Sequence, residues 1–331
     1  VKIAVDAMGG DHAPFEIIKG ALEVAAELPE LGIILVGDQD EIKKVEGYKD
    51  MPNVSIRHAA GVITFNDDPV SRSTQNSIAV CCNLVKDKEA DAFVSAGHTG
   101  ACMASAVILW KRIAGIERPA IPTPIPVPTG QVILIDAGAN VDCKASNLLQ
   151  FALMGSVYAE SIFGVKNPRV GILSNGTEDK KGCKLSLEAF ALIKESKLNF
   201  VGNVEGSGIF KNICDVVVCD GFVGNALLKA IEGTADMISG LVKANIAEMA
   251  SSAGSSGGML SAMASSFMEK FKKRLDYSEY GGAPLLGVNG TAIIAHGSSK
   301  SRAVKNAILV AKKFVNEKIT EKIEQEAEGL R

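Results

Sequence analysis

The chain has 331 residues, 47% of them apolar and 22% charged, with a formal net charge of −3. That near-neutral balance excludes the basic excess of a nucleic-acid binder, and 5% aromatic residues leaves little for base-stacking platforms. No apolar run approaches the roughly twenty residues of a membrane span, and the first residues read as a strand instead of a signal peptide, so the expected compartment is the cytoplasm.

Apolar strand-like runs alternate with helical patterns from residue 2 to about 220, which predicts an α/β fold. Ile3-Ala4-Val5 runs into Asp6-Ala7-Met8-Gly9-Gly10-Asp11-His12, and a helix over 14–28 follows with Pro14 in its first turn. A helix over 75–86 precedes Phe93-Val94, which ends in Ser95-Ala96-Gly97-His98-Thr99-Gly100 and opens a helix over 98–113. Four prolines at 122, 124, 126 and 128 exclude helix and predict a connector or edge strand ahead of a strand near 132. Ile133-Leu134-Ile135 then enters Asp136-Ala137-Gly138-Ala139-Asn140, followed by a helix over 145–163. Gly171-Ile172-Leu173 enters Ser174-Asn175-Gly176-Thr177-Glu178 and a helix over 184–196.

Val216-Val217-Val218 enters Asp220-Gly221-Phe222-Val223-Gly224-Asn225 and a long helix near 224–249. A Gly/Ser break over 251–258 separates it from a second helix near 259–275. After Gly281-Gly282 the α/β pattern returns, with Ile293-Ile294 running into His296-Gly297-Ser298 and a last helix over about 300–325. The organisation predicted is one α/β body over 1–331 with a helical hairpin, 222–282, inserted late.

One design therefore recurs: an apolar run, a glycine-containing polar turn, then a helix. In an open parallel sheet such turns share the carboxyl edge, where ligands bind. Backbone N–H groups feeding helix N-termini there favour an anion, so the residues point to phosphate. Lys180 and Lys181, inside a Gly-bounded acidic turn, can neutralise a phosphate or a developing oxyanion, or form a solvated charge cluster. Asn225 is a ligand contact or a helix N-cap, with Lys229 one turn on; His98 is a phosphate ligand, a general acid or a capping histidine.

Several patterns are absent or accidental. Neither G-x-G-x-x-G nor a Walker A lysine pattern occurs, and Gly254-Ser255-Ser256-Gly257-Gly258 matches a nucleophile elbow without the strand that must precede it. The seven cysteines show no C-x-x-C spacing, so a metal site is not expected, and Cys81, Cys102, Cys143 and Cys214 read as small core residues. Met259, Leu260, Met263, Phe267 and Phe271 form a helical stripe beside a basic cluster at 270–274, the pattern of a helix lying on an anionic membrane, packing on a partner, facing an acyl chain or packing into the protein's own core.

Taken in order, Ile3 to Pro14, Ser95-Ala96-Gly97 with Thr99-Gly100-Ala101, Gly138-Ala139-Asn140, Gly176 to Gly182, Asp220-Gly221-Phe222 with Gly224-Asn225, and Tyr280 to Gly287 followed by His296-Gly297-Ser298 resemble the PlsX family of phosphate acyltransferases over nearly the whole chain. The resemblance implies a Rossmann-like three-layer α/β/α sandwich, related to isocitrate dehydrogenase and phosphotransacetylase. It implies transfer of a long acyl group from acyl carrier protein to inorganic phosphate, as a step of phospholipid synthesis. It also implies a homodimer, peripheral membrane attachment through the inserted hairpin, and no organic cofactor. His98 stands where the family usually has Asn, Ser207-Gly208 where Arg-Asp is common, and the stretch 71–76 lacks most of the family's basic residues.

The mechanism expected makes phosphate itself the nucleophile, with Lys180 or Lys181 and Asn225 stabilising the tetrahedral oxyanion, and His296 or His98 as an optional proton donor. Substrate contacts are expected from Asp6, Gly9, Gly10, Asp11, His12, Ser95, Gly97, His98, Thr99, Gly100, Asp136, Asn140, Gly176, Thr177, Asp220, Gly224 and Lys229. The alternatives are a short-chain phosphotransacetylase using coenzyme A and a non-catalytic membrane scaffold.

Overall fold

The structure is a computed structural model that describes residues 1–62, 75–252 and 281–329. β1 (Lys2–Asp6), α1 (Phe15–Glu27), β2 (Gly32–Gly37), α2 (Gln39–Lys44) and β3 (Val54–His58) come first, then α3 (Ser77–Lys86), β4 (Ala92–Ser95) and α4 (Thr99–Trp110). Next are β5 (Thr123–Val127), β6 (Gly130–Ile135), α5 (Ala145–Phe163), β7 (Val170–Leu173), α6 (Lys184–Glu195), β8 (Phe200–Val204), a 3-10 helix over Gly206–Lys211 and β9 (Val216–Val218). α7 (Gly221–Ser252), β10 (Ala283–Pro284), β11 (Thr291–Ile294), α8 (Ser301–Asn316) and α9 (Ile319–Glu328) complete the described elements.

The strands form two sheets, ordered β10-β11-β4-β1-β2-β3 and β5-β6-β9-β7-β8. All pairings are parallel except β10 with β11 and β5 with β6, which lie at the sheet edges. The recurrent turns are therefore divided between two carboxyl edges. After finishing the second sheet, the chain returns to lay β11 beside β4 in the first.

Continuous apolar strands are what a sheet covered on both faces requires. In β1, Ile3 and Val5 face a cluster shared with α1 and α8, while Ala4 faces the cluster holding Phe93 and the α4 residues Ala101 and Ala106. In β6, Ile133 and Ile135 pack with α5, whereas Val132 and Leu134 pack on the opposite face with Ile209 and Cys214. Each fully buried Ile or Val contributes about 1.5–3 kcal/mol of apolar transfer, so the alternation fixes each sheet between helical layers. The expected three-layer α/β/α architecture is the one observed.

Of the connector or edge strand expected for the proline-rich passage, the structure shows the edge strand β5, antiparallel to β6, where Pro124 and Pro126 are tolerated. Two elements differ in detail from the sequence reading. The helix expected near 224 starts at Gly221, and the helix expected over 300–325 is two helices parted at Lys318, whose φ is 52°. The second hairpin helix, with Met259, Leu260, Met263, Phe267 and Phe271, lies outside the described residues. So do residues 71–74 of the stretch that departs from the family pattern.

Candidate active site

At the carboxyl edge of the first sheet, β1 and β4 are neighbours, and the strand order runs outward from them in both directions. Ligands favour such a switch point. Asp6 ends β1 fully buried, accepting from Ser95 Oγ at 2.6 Å and from the Met8 N–H at 3.2 Å. Burial pushes its carboxyl above the ordinary range, against these hydrogen bonds. Ser95 Oγ also accepts from the Gly97 N–H at 3.0 Å, so Asp6 and Ser95 buckle two turns together.

Gly9 is required at this junction. A Cβ there would lie 2.3 Å from Asp6 Oδ2 and 2.9 Å from the Gly97 backbone. The Asp11 N–H donates to the Gly297 carbonyl and the Ala295 N–H to the Ser95 carbonyl, each at 2.8 Å, which draws the third turn in. Asp11, His12, Thr99 and His296 are exposed on this rim, with Gly10, His98 and Gly100 half-buried. Asp11 does not cap α1, whose N-terminus follows Pro14 without a side-chain cap.

His98 caps α4, its Nδ1 accepting from the Ala101 N–H at 3.3 Å. His296 Nδ1 accepts from the Ser298 N–H at 3.2 Å and lies 2.8 Å from Ser298 Oγ. In each neutral ring, an accepting Nδ1 assigns the proton to Nε2. Ser298, which orients His296, was not among the expected site residues.

The second sheet repeats the buckle with other partners. Asp136, fully buried at the end of β6, accepts from the backbone N–H groups of Ile121 at 3.0 Å, Ala139 at 3.1 Å and Asn140 at 2.7 Å. Asn140 Nδ2 donates to Asp136 at 2.9 Å and to the Pro119 carbonyl at 2.7 Å. Burial pushes the Asp136 carboxyl up as well. Asp6, Asp136 and Asn140 were expected to touch substrate. In the structure each is 4% exposed or less, and the two carboxylates and the Asn140 amide nitrogen hold turns.

The N-terminus of α7 lies directly on the 136–140 turn. The Gly221 N–H donates to the Asn140 carbonyl at 2.7 Å, and a Cβ on Gly224 would lie 1.9 Å from the Asp136 carbonyl oxygen. Asp220 is the capping residue, its Oδ1 accepting from the Val223 N–H at 3.0 Å. Asn225 is therefore free of the capping duty weighed for it and stands exposed in the helix beside Gly138, on which a Cβ would lie 3.6 Å from Asn225 Oδ1. Lys229 pairs with Glu232 at 2.7 Å along the same helix.

The lysine turn connects β7 to α6. Asn203 of β8, 6% exposed, donates through Nδ2 to the Glu178 carbonyl at 2.7 Å and the Lys181 carbonyl at 3.3 Å, which pins the turn to the sheet. Gly176 is buried under Lys181, where a Cβ would meet Lys181 Cγ at 2.7 Å. Asp179 turns away to Lys194 at 2.9 Å, and among the described residues no ion pair engages Lys180 or Lys181. Both lysines and Thr177 are exposed. Asn203 escaped the sequence reading because a single Asn in a strand carries no pattern.

Strand β9 separates β6 from β7, so at about 4.8 Å per strand spacing the strands that lead into the 136–140 and 174–182 turns lie about 10 Å apart. The N-terminus of α7, with Asn225, follows from the strand between them. Ala137 and Ala139 pack into the same apolar cluster as Ala101 and Cys102 of α4, joining this group of turns to the first sheet. Burial pushes the Cys102 thiol up to about 12 and the Cys143 thiol up to about 11, so neither is a ready thiolate nucleophile. The rim thus offers exposed ammonium, amide and imidazole groups, its turns held from beneath by Asp6, Asp136 and Asn203.

Comparison with known proteins finds relatives over the length of the chain. The family described as fatty acid synthesis protein matches residues 1–322. A phosphate acyltransferase of Pelotomaculum thermopropionicum is 50% identical over 100% of this chain and 96% of its own length. One from Desulforamulus reducens is 47% identical over 99% and 98%. Among solved structures, a phosphotransacetylase from Streptococcus pyogenes superposes with a TM-score of 0.63 at 17% identity, covering 96% of this chain and 94% of that one. A branched-chain phosphotransacylase from Enterococcus faecalis gives a TM-score of 0.57 at 13% identity, covering 95% and 99%. At those identities the structural likeness concerns the fold. With a full-length family match and relatives near half identity, the chain belongs to the fatty acid synthesis family and is an acyltransferase.

Proposed function

We propose that the protein transfers a long-chain fatty acyl group from acyl carrier protein to inorganic phosphate, giving acyl phosphate for phospholipid synthesis. One observation carries this reading: exposed Lys180 and Lys181 on the turn after β7, and exposed Asn225 at the start of the helix after the neighbouring strand β9, occur in a chain whose full-length relatives are named phosphate acyltransferases. A phosphate oxygen attacks the thioester carbonyl carbon, forming a C–O bond and a tetrahedral oxyanion. Collapse breaks the C–S bond and releases the carrier thiolate, which takes a proton from solvent or from the Nε2–H of His296.

The protein's share is positioning and charge stabilisation. Ammonium groups of the lysine turn and the Asn225 amide face the developing oxyanion, while N–H groups of the glycine turns hold the incoming phosphate. A thiolate is a good enough leaving group that a strong general acid is not needed, which suits a histidine in an auxiliary role.

The long-chain donor is favoured by α7, which exposes Phe222, Met237, Ile238, Leu241 and Met249 at 41–66%. Such a surface suits an acyl chain, a second copy of the chain in a homodimer, or a peripheral contact with an anionic membrane. Among the described residues no helix is long and apolar enough to cross a membrane. The phosphotransacetylase fold keeps a second reading in play, a short-chain enzyme using coenzyme A. Incubation of pure protein with orthophosphate and either palmitoyl carrier protein or acetyl coenzyme A tests both. Thiol release that requires orthophosphate and occurs with the carrier donor is expected; release only with the coenzyme selects the second reading, and release with neither leaves the scaffold.

A further inference from the structure

Beside the candidate active site lies a cavity of about 430 Å³ that none of the roles above uses. Arg112, Arg118 and Lys144 line it, over a floor that includes Ile116 and Asn147. Its one carboxylate, Glu117, accepts from Asn147 Nδ2 at 3.0 Å, and Arg112 Nη1 donates to the Glu117 backbone carbonyl instead of the carboxylate. Among the described residues, Arg118 and Lys144 take part in no ion pair. The hollow is thus cationic and open to solvent, with Arg112, Arg118 and Lys144 exposed around it and room for a phosphate group. Guanidinium forks beside an ammonium are the donor set for a phosphate ester.

Its position ties it to the chemistry. Arg118 precedes Pro119, whose carbonyl accepts from Asn140 Nδ2 at 2.7 Å. Lys144 follows Cys143, whose Sγ lies 3.7 Å from the Asn140 carbonyl oxygen. Asn140 in turn belongs to the Asp136 buckle under the N-terminus of α7. A thioester donor has to bring its sulfur to that helix end, and a pantetheine arm carries a phosphate at its opposite end. We propose that this cavity binds the phosphate ester of the donor's pantetheine arm, an inference that rests on the acyl-transfer reading above.

The test compares wild type with Arg118→Gln and Lys144→Gln, using S-acyl-4′-phosphopantetheine and S-acyl-pantetheine, which differ only in the phosphate. Each substitution is expected to raise KM for the phosphorylated donor about tenfold with kcat unchanged, and to leave the unphosphorylated donor unaffected. Arg118→Lys restores part of the loss. Equal effects on both donors, or on neither, overturn the proposal. Acyl carrier protein and acyl coenzyme A, run in parallel, identify which source presents the phosphate. A KM rise with carrier protein but not with free acyl-phosphopantetheine also overturns it, assigning the cavity to the protein surface of the donor. Should wild type transfer no acyl group from any donor, the functional reading fails, and calorimetric titration with 4′-phosphopantetheine still decides the cavity. Binding weakened about tenfold by Arg118→Gln supports it, and binding equal in both proteins overturns it.

Discussion

The carboxyl edges of the two sheets solve one problem in two ways. In the first, Asp6 is held across strands by the Ser95 hydroxyl, and turns meet backbone to backbone at Gly9 and Gly97. In the second, Asp136 is held by backbone N–H groups of its own turn and of Ile121, and a helix, α7, is pressed onto it through Gly221 and Gly224. Both carboxylates sit beneath the rim. What differs is the rim itself: imidazoles and Asp11 on the first sheet, Lys180, Lys181 and Asn225 on the second. On the proposed acyl-transfer reading, charge stabilisation falls to the second sheet and the first shapes the site.

The sharpest way to break that division is to remove the second rim's charge. Lys180→Ala with Lys181→Ala is expected to lower kcat about a hundredfold, more than it raises KM for orthophosphate. Unchanged turnover in the double variant moves charge stabilisation to the first sheet. Next in size is Gly224→Ala, whose methyl would sit 1.9 Å from the Asp136 carbonyl oxygen. Overpacking there is expected to cost about 1–3 kcal/mol in thermal or denaturant unfolding, together with lost phosphate-dependent thiol release.

Asn203→Ala frees the lysine turn from β8. The expected result is a kcat about tenfold lower, with little change in Tm, because the turn loses its anchor while the sheet keeps its core. A Tm drop without a kcat change would make Asn203 purely structural. The smallest effect concerns the buckles. Burial raises Asp136 above its unfolded value, so the native state binds the proton more tightly. Its contribution to stability is greatest below the ordinary carboxylate value of about 4 and declines as pH rises to the elevated folded value. Asp136→Asn removes that contribution, so a plot of Tm against pH from about 4 upward should be shallower than wild type.

Much of the fold was legible because periodicity and punctuation report directly on it. Helix α5 runs over 145–163 as read from the sequence, and the prolines of β5 announced an edge strand. Gly221 hid the true start of α7, since glycine is a poor helix signal and its role here is to let a helix touch a turn. The site was legible as a set of turns but not as a set of roles. Asp6, Asp136 and Asn140 are read from the sequence as polar turn residues, and the tertiary structure adds that they are buried and fasten the backbone.

By itself the sequence determined the alternating architecture, the recurrent glycine turns and the resemblance in which they occur, because each is a local pattern of residue types. Tertiary structure decided that the turns divide between two sheets, that β11 returns to the first, and which polar groups reach solvent. It also brought Arg112 and Arg118 beside Lys144, and Asn203 beneath Lys181. Those pairings join residues from separate stretches of the chain, and no local pattern encodes a distance that exists only after the sheets have formed.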